Sequence, residues 1–190
     1  MAWNKLGTTT LGSAGDDLDI TSMTANKFNQ ILVNSFYSGD TDGKMTFNNN
    51  SNSVYAYRRS VDGGSDTTGT SQVSMGWYWG TTDELWVSNF VSISGEEKLG
   101  VSWGMFSDTT GAGTAPHRME RTDKFVPSPD ADITRIDRHN DSTGSFDTNS
   151  NISVLGSDGT EALNVQDGAI YYDTDLNKEY VLYNNTWTEL

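Results

Sequence analysis

Apolar side chains alternate with small polar ones in several segments of this chain, with a period of two residues. Two segments show the pattern most clearly, and their apolar positions are Val73, Met75, Trp77 and Trp79, then Leu99, Val101, Trp103 and Met105. Such alternation, with β-branched and aromatic residues, is typical of half-buried β-strands. Asp-Gly pairs between the segments favour the tight turns of hairpins. The pattern therefore predicts short antiparallel strands, about eight of them between residues 16 and 156.

One segment, residues 24–37, is compatible with two structures. Its apolar positions Phe28 and Leu32 fit both a helical and an alternating pattern. We favour a strand because Val33 and Tyr37 are better strand formers than helix formers. Strong helix formers are scarce elsewhere, so the expected fold is all-β: an antiparallel, jelly-roll-like β-sandwich. Its inner faces are expected to hold the Trp, Tyr, Phe, Val and Ile side chains.

Turn residues divide the chain into three predicted parts. Residues 1–15 form an N-terminal contact arm, residues 16–156 form the sandwich, and residues 157–190 form a small C-terminal module rich in β-hairpins. A module this short is too small for a secure core of its own. We therefore expect it to pack on the main domain, on a copy of itself or on another protein. The expected contact residues in the two end segments are Trp3, Leu6, Tyr180 and Trp187.

Charge and composition exclude several classes of protein. The chain has 26 acidic and 12 basic side chains among 190 residues, for a net charge of -14. A nucleic-acid site needs Lys and Arg to displace counterions, so nucleic acid is not an expected partner. No apolar run approaches the roughly 20 residues of a membrane helix, so a membrane is not expected either. The absence of cysteine excludes disulfides and cysteine-bound metals.

Few residues form a recognisable catalytic or metal-binding pattern. His117 and His139 belong to no nucleophile motif or metal-ligand cluster, so we expect structural or surface roles for both and no enzymatic activity. Calcium is the best metal candidate, because Asp173, Asp175 and Asn177 match the first three ligands of a calcium loop. The Gly that such a loop needs is replaced by Lys178, and a hairpin turn explains the same spacing.

A second spacing of this kind precedes Gly43, where Asp40 and Asp42 alternate. No other cofactor is expected.

Aromatic and basic residues form two further groups. Trp77 and Trp79 share one side of a predicted strand and are candidate interaction residues. They fit the core of a sandwich, a contact with another subunit, or a platform for a sugar ring. The six arginines fall in three close pairs, which we interpret as structural ion pairs or interface anchors. An inward Arg needs a carboxylate, and Glu120 or Asp137 could supply it.

Short motifs along residues 16–156 add a resemblance. The motifs include Asp16-Asp17-Leu18-Asp19-Ile20, Thr24-Ala25-Asn26-Lys27-Phe28, Tyr55-Ala56-Tyr57-Arg58, Arg118-Met119-Glu120 and Ile133-Thr134-Arg135-Ile136-Asp137. Their order resembles a family of structural proteins of tailed bacteriophages, found as head-decoration, knob or tail-fibre components. The later run Gly168-Ala169-Ile170-Tyr171-Tyr172 resembles short β-rich modules of phage fibre and tail proteins.

The resemblance implies a β-sandwich protein of the virion, usually a homotrimer, and it transfers no catalytic residue. The expected partners are copies of this chain and capsid or other virion proteins. The leading expectation is a protein that decorates or stabilises the capsid exterior. The alternative is a receptor- or carbohydrate-binding fibre or spike module, with a host surface glycan as partner.

Overall fold

The computed structural model describes residues 3–39, 41–76, 83–158, 168–184 and 186–190. The chain divides into two compact units, Trp3–Ser157 and a second that begins at Asp158. Within the described residues every regular element is a strand. None of them forms a helix with the length and apolar character needed to cross a bilayer.

The first unit contains strands β1 to β14, several of them only two residues long. Their bounds are β1 Asn4–Thr10, β2 Asp17–Ile20, β3 Phe28–Ser35, β4 Tyr37–Ser38, β5 Gly43–Phe47, β6 Tyr55–Val61, β7 Thr67–Gln72, β8 Met75–Gly76, β9 Glu84–Val91, β10 Lys98–Phe106, β11 His117–Phe125, β12 Ile136–Asn140, β13 Ser145–Phe146 and β14 Asn151–Ser157. The predicted number, about eight in residues 16–156, is too low. Two-residue strands carry too little alternation to be seen in the sequence.

These strands form two main sheets, and every pairing is antiparallel. The large sheet has the order β1-β14-β3-β9-β10-β11-β6-β7, and the small sheet has the order β2-β12-β5-β8. The all-β antiparallel fold is therefore confirmed, as is the strand that we favoured within residues 24–37. The jelly-roll connectivity stays a prediction.

A single apolar core joins the two sheets. Phe47 of the small sheet lies edge-on to Phe90 and Phe125 of the large sheet, with ring centroids 4.9 and 5.3 Å apart. Tyr55 stacks on Phe125 at 4.9 Å. Rings in such contacts contribute beyond the area that they bury. The packing of both inner faces onto one core is what makes the unit a sandwich.

The N-terminal segment is part of the large sheet. Residues Asn4–Thr10 pair with β14 of the same chain, with an irregularity in register near Gly7. Leu6 packs against the core, while Trp3 is 43% exposed. The segment that we expected to be a contact arm thus pairs with its own chain, because β14 offers it a free edge.

The second unit contains a three-stranded antiparallel sheet of β15 (Ile170–Asp173), β16 (Lys178–Tyr183) and β17 (Thr186–Glu189). Tyr171 stacks on Tyr180 at 5.0 Å and meets Trp187 edge-on at 4.8 Å. Two of the predicted contact residues, Tyr180 and Trp187, thus pack on a shared aromatic neighbour. The rings serve this sheet as a small core, next to the buried Leu182.

Candidate interaction surface

Strand β10 directs four of its apolar side chains away from the core, although Phe106 at its end is buried. Trp103 is 51% exposed, and Leu99, Val101 and Met105 are exposed beside it. The expectation that Val and Trp hold the inner faces is therefore wrong for this strand.

Two glycines give the physical reason. A Cβ atom on Gly100 would lie 2.5 Å from the ring of Phe90, and one on Gly104 would overlap the ring of Trp86. Gly100 and Gly104 must therefore face the core, where the two rings occupy the space that side chains would fill. Because side chains alternate along a strand, the residues between them face outward.

Four adjacent strands of the large sheet continue this outward surface. The register aligns their outward side chains in rows, and the rows are Met105-Leu85-Asn34-Asn151, Trp103-Val87-Leu32-Ser153, Val101-Asn89-Gln30-Leu155 and Leu99-Val91-Phe28. We call these side chains the uncharged face. Most are apolar and none carries a charge, although the chain has a net charge of -14.

The strands on either side of the uncharged face are polar. On β11, Arg118, Glu120 and Lys124 stand opposite outward residues of β10, and Lys124 pairs with Glu97 at 2.6 Å. On β1, the Thr8 hydroxyl lies 2.7 Å from the Ser153 hydroxyl. Apolar patches rimmed by polar groups mark interaction sites more often than ordinary surface.

A shallow cleft lies at one end of the uncharged face. Its volume is about 390 Å³, and its lining includes Trp3, Phe28, Asn89, Val91 and Leu99. The predicted contact residue Trp3 therefore borders this surface.

The outward face of the small sheet has the opposite character. Asp17, Asp19, Lys44, Asp137 and His139 line a second cleft of about 390 Å³. Polar neighbours contact one another here: the His139 ring nitrogen Nδ1 lies 2.6 Å from the Asp17 carboxylate. Lys44 pairs with Asp141, and Arg135 pairs with both Asp137 and Asp19.

Asp19 is the carboxylate of this charged cleft whose surroundings disfavour its charged form. Burial raises its pKa above the usual value, and the carboxylates of Asp137 and Asp17 raise it further. A crowded carboxylate of this kind is common in structural ion-pair networks as well as in active sites. The described residues contain no group of three or more metal-ligating side chains placed to hold an ion.

The two histidines are surface groups held by carboxylates. His117 lies 2.6 Å from Asp62 and 3.0 Å from Asp108. The hydrogen bond to Asp62 raises the pKa of His117. His139 lies between Asp17 and Asp141.

The arginines form ion pairs, but with other partners than the sequence suggested. Arg138 is buried and pairs with Glu84, which also accepts a 3.0 Å hydrogen bond from the Trp86 indole. Burial alone would lower the pKa of Arg138, but Glu84 and the Tyr37 hydroxyl raise it overall. This pair connects β12 of the small sheet to β9 of the large sheet.

Neither carboxylate that we proposed from the sequence serves an inward arginine. Glu120 lies on the outward side of β11, where Arg121 turns inward to the buried Asp123. Asp137 binds the half-exposed Arg135 instead of Arg138. One signal in the sequence could have revealed Glu84. It lies on the same side of its strand as Trp86 and Phe90, which faces the core, and a carboxylate buried there needs a cation as its partner.

The calcium candidates of the second unit lie in the turn between β15 and β16. The Asp173 carboxylate accepts hydrogen bonds from the backbone N–H groups of Asp175 and Leu176, both at 3.0 Å. Asn177 has a φ of 54°, as hairpin turns require. Asp40 and the predicted interaction residues Trp77 and Trp79 lie outside the described residues.

Comparisons of the chain with protein-family models, with curated proteins and with solved structures find no match.

Proposed function

We propose that this chain is a non-enzymatic structural protein of a bacteriophage virion, which decorates or stabilises the exterior of the capsid through protein contacts. The observation that carries the proposal is the uncharged face. A protein with a net charge of -14 has ample charge to cover every surface, yet four strands have none on their outward side. A large apolar surface left on a folded domain supports association with another protein.

The rest of the first unit suits a scaffold that carries such a surface. Its core connects both sheets through Phe47, Phe90 and Phe125, and the buried Glu84–Arg138 pair crosses between them. The charged cleft on the opposite side pairs Lys44 and Arg135 with neighbouring carboxylates and is open to water. Excess negative charge there keeps many copies soluble and apart from nucleic acid.

The motif resemblance supports the location in a virion. It covers residues 16–156, which correspond closely to the two-sheet unit. It brings no catalytic residue, and both histidines lie against carboxylates at the surface.

The test uses the phage whose genome encodes this chain. Density-purified particles are analysed by mass spectrometry for the protein, and purified protein is sedimented with particles that lack it. We expect copies on the particle and saturable binding. The matched variants are Val101→Lys on the uncharged face, which should weaken binding, and Val73→Lys beside the charged cleft, which should not. Absence from the particles together with no sedimentation overturns the proposal.

The alternative is a receptor- or carbohydrate-binding module of a fibre or spike. One observation favours it: the exposed Trp3 ring borders a cleft that also presents the Asn89 amide. Aromatic faces with a few polar groups are a common design for small-ligand sites. A glycan array separates the two functions, because Trp3→Ala would abolish glycan binding but leave particle binding through the centre of the face intact.

A further inference from the structure

We infer that two copies of this chain pack against each other through their uncharged faces, as a two-fold symmetric dimer rather than the homotrimer that the resemblance implies. The uncharged face is then buried between the two copies, so in the proposed virion the paired unit reaches the particle through its other surfaces. Loss of pairing in Val101→Lys weakens particle binding because each copy then attaches alone. The pairing holds or fails in solution whether or not the protein belongs to a virion.

The distribution of charge allows a second copy to approach this face and opposes its approach at the small sheet. Two chains of net charge -14 repel each other, and the repulsion is strongest where carboxylates such as Asp17, Asp19 and Asp137 line the outer side of the small sheet. The uncharged face adds no repulsion of its own. An apolar surface meeting its own copy also satisfies the requirement that a two-fold interface be self-complementary.

The size of the face suits a dimer. The four strands lie about 4.8 Å apart, and the face spans about seven residues along each strand at a rise of about 3.3 Å. These spacings make an area of about 19 by 23 Å. With the flanking strands β1 and β11 the width reaches about 29 Å and the flat area about 670 Å². A stable interface buries about 800 Å² per partner. The side chains project from the sheet, so the accessible area of the face exceeds its flat area and approaches this value.

The flanking charges select how the copies face each other. An axis across the strands would lay each β11 on its counterpart, so that Arg118 would meet Lys124 of the other copy. An axis along the strands, between β3 and β9, instead lays β11 on the other copy's β1. There Arg118 and Glu120 meet hydroxyl groups such as that of Thr8. Lys5, the charged residue of β1, lies opposite Thr122, with Glu120 on one side and Lys124 on the other, so no like charges are directly opposed. Two sheets packed this way are about 10 Å apart, as in an ordinary sandwich.

Sedimentation equilibrium of the full chain over a wide concentration range tests the inference. We expect a reversible equilibrium that reaches twice the mass of one chain. Val101→Lys places a charge at the middle of the face and should weaken the dimer at least about 30-fold, the effect of losing a central contact. Val73→Lys is the matched control, because Val73 is also exposed but borders the charged cleft. Circular dichroism confirms that both variants fold.

A second measurement does not depend on any destabilising substitution. The chain has no cysteine, so a single introduced thiol reacts only with its counterpart in another copy. Val87→Cys lies on β9 beside the inferred axis, and a short thiol-to-thiol cross-linker should join it efficiently. Thr46→Cys, on the outer side of the small sheet, should give no linked pair.

Dimers that are lost in Val101→Lys, retained in Val73→Lys and cross-linked through Val87→Cys support the inference. A chain that stays monomeric at all concentrations overturns it. A mass of three chains, or a dimer that persists unchanged in Val101→Lys and does not cross-link through Val87→Cys, also overturns it.

Discussion

The outer surfaces of the two main sheets differ in the side chains that they expose to solvent. The large sheet presents Leu99, Val101 and Trp103 in an uncharged surface, whereas the small sheet presents Asp17, Lys44 and His139 in a network of ion pairs and hydrogen bonds. Both belong to one sandwich and share one core. The difference shows that solvent exposure alone does not decide composition here, because one exposed surface is rich in charge and the other has none.

The contrast also separates two uses of charge within the same unit. Inside, Glu84 and Arg138 have no access to water and depend on each other. On the small sheet's outer side, Arg135 and Asp19 stay partly exposed to solvent, although their neighbour Asp137 is buried. The four predictions that follow test these contrasts, from the largest expected effect to the smallest.

The two sides of the large sheet should respond differently to loss of a tryptophan. Trp86→Ala removes a fully buried ring and a hydrogen bond to Glu84, so we expect a loss of about 3–5 kcal/mol in the free energy of unfolding. Trp103→Ala removes a half-exposed ring and should cost less than about 1 kcal/mol in the monomer. Urea unfolding in the Val101→Lys background, which keeps the chain monomeric, measures both. Equal losses would contradict the assignment of the two sides.

Two arginines three residues apart should also differ in how far their loss destabilises the fold. Arg138→Met leaves Glu84 buried without its cation, which should destabilise the fold by about 3–5 kcal/mol. Arg135→Met removes a partly exposed cation, and Asp137 still accepts a hydrogen bond from the Asn49 backbone, so the cost should be smaller, about 1 kcal/mol. Thermal and urea unfolding give the comparison. If the double variant Glu84→Gln with Arg138→Met is no more stable than Arg138→Met, the ion pair is not the cause.

The inward glycines should tolerate no added methyl group. Gly104→Ala would place a Cβ within the space of the Trp86 ring, and overpacking of this kind costs about 1–3 kcal/mol. Gly113→Ala is the control, since a Cβ there meets nothing within 4 Å. A Gly104→Ala variant as stable as the wild type in urea would show that the ring can move, and that the glycine does not set the direction of β10.

The smallest effect concerns the titration of the charged surface. The pKa of Asp19 is raised above 3.8 by burial and by Asp137 and Asp17, so its native state holds the proton more tightly than the unfolded chain does. This contribution is fully present below pH 3.8 and is lost as the pH rises through the native pKa. Asp19→Asn should therefore flatten that decline, by well under about 1 kcal/mol.

Asp141 provides the opposite case on the same surface. Its hydrogen bond to Lys44 lowers its pKa, so its contribution is present above pH 3.8 and lost as the pH falls through the native pKa. Carboxyl NMR titration should place the two midpoints on opposite sides of 3.8. Midpoints in the reverse order would contradict the geometry of this surface.

Much of the fold could be predicted from local patterns, and much of the candidate surface could not. The strand at Phe28–Ser35 follows from residues that are near one another in the chain. The partner of Arg138 does not, because Glu84 lies 54 positions away and only the packing of two sheets brings them together. Neighbouring acids such as Asp137 look like better partners in the sequence, but their side chains point to the other side of the strand.

Alternation, turn residues and charge balance by themselves determined that this chain is an acidic, all-β, antiparallel protein. They also determined which residues share a side, since a strand's period is two. Only the tertiary structure decided which side faces the core. The rings of Phe90 and Trp86 need the space above Gly100 and Gly104, and this need outweighs the hydrophobic preference of Leu99, Val101 and Trp103 for the interior. A period of two is the same whichever side is buried, so the uncharged face becomes visible only once the sheets are packed.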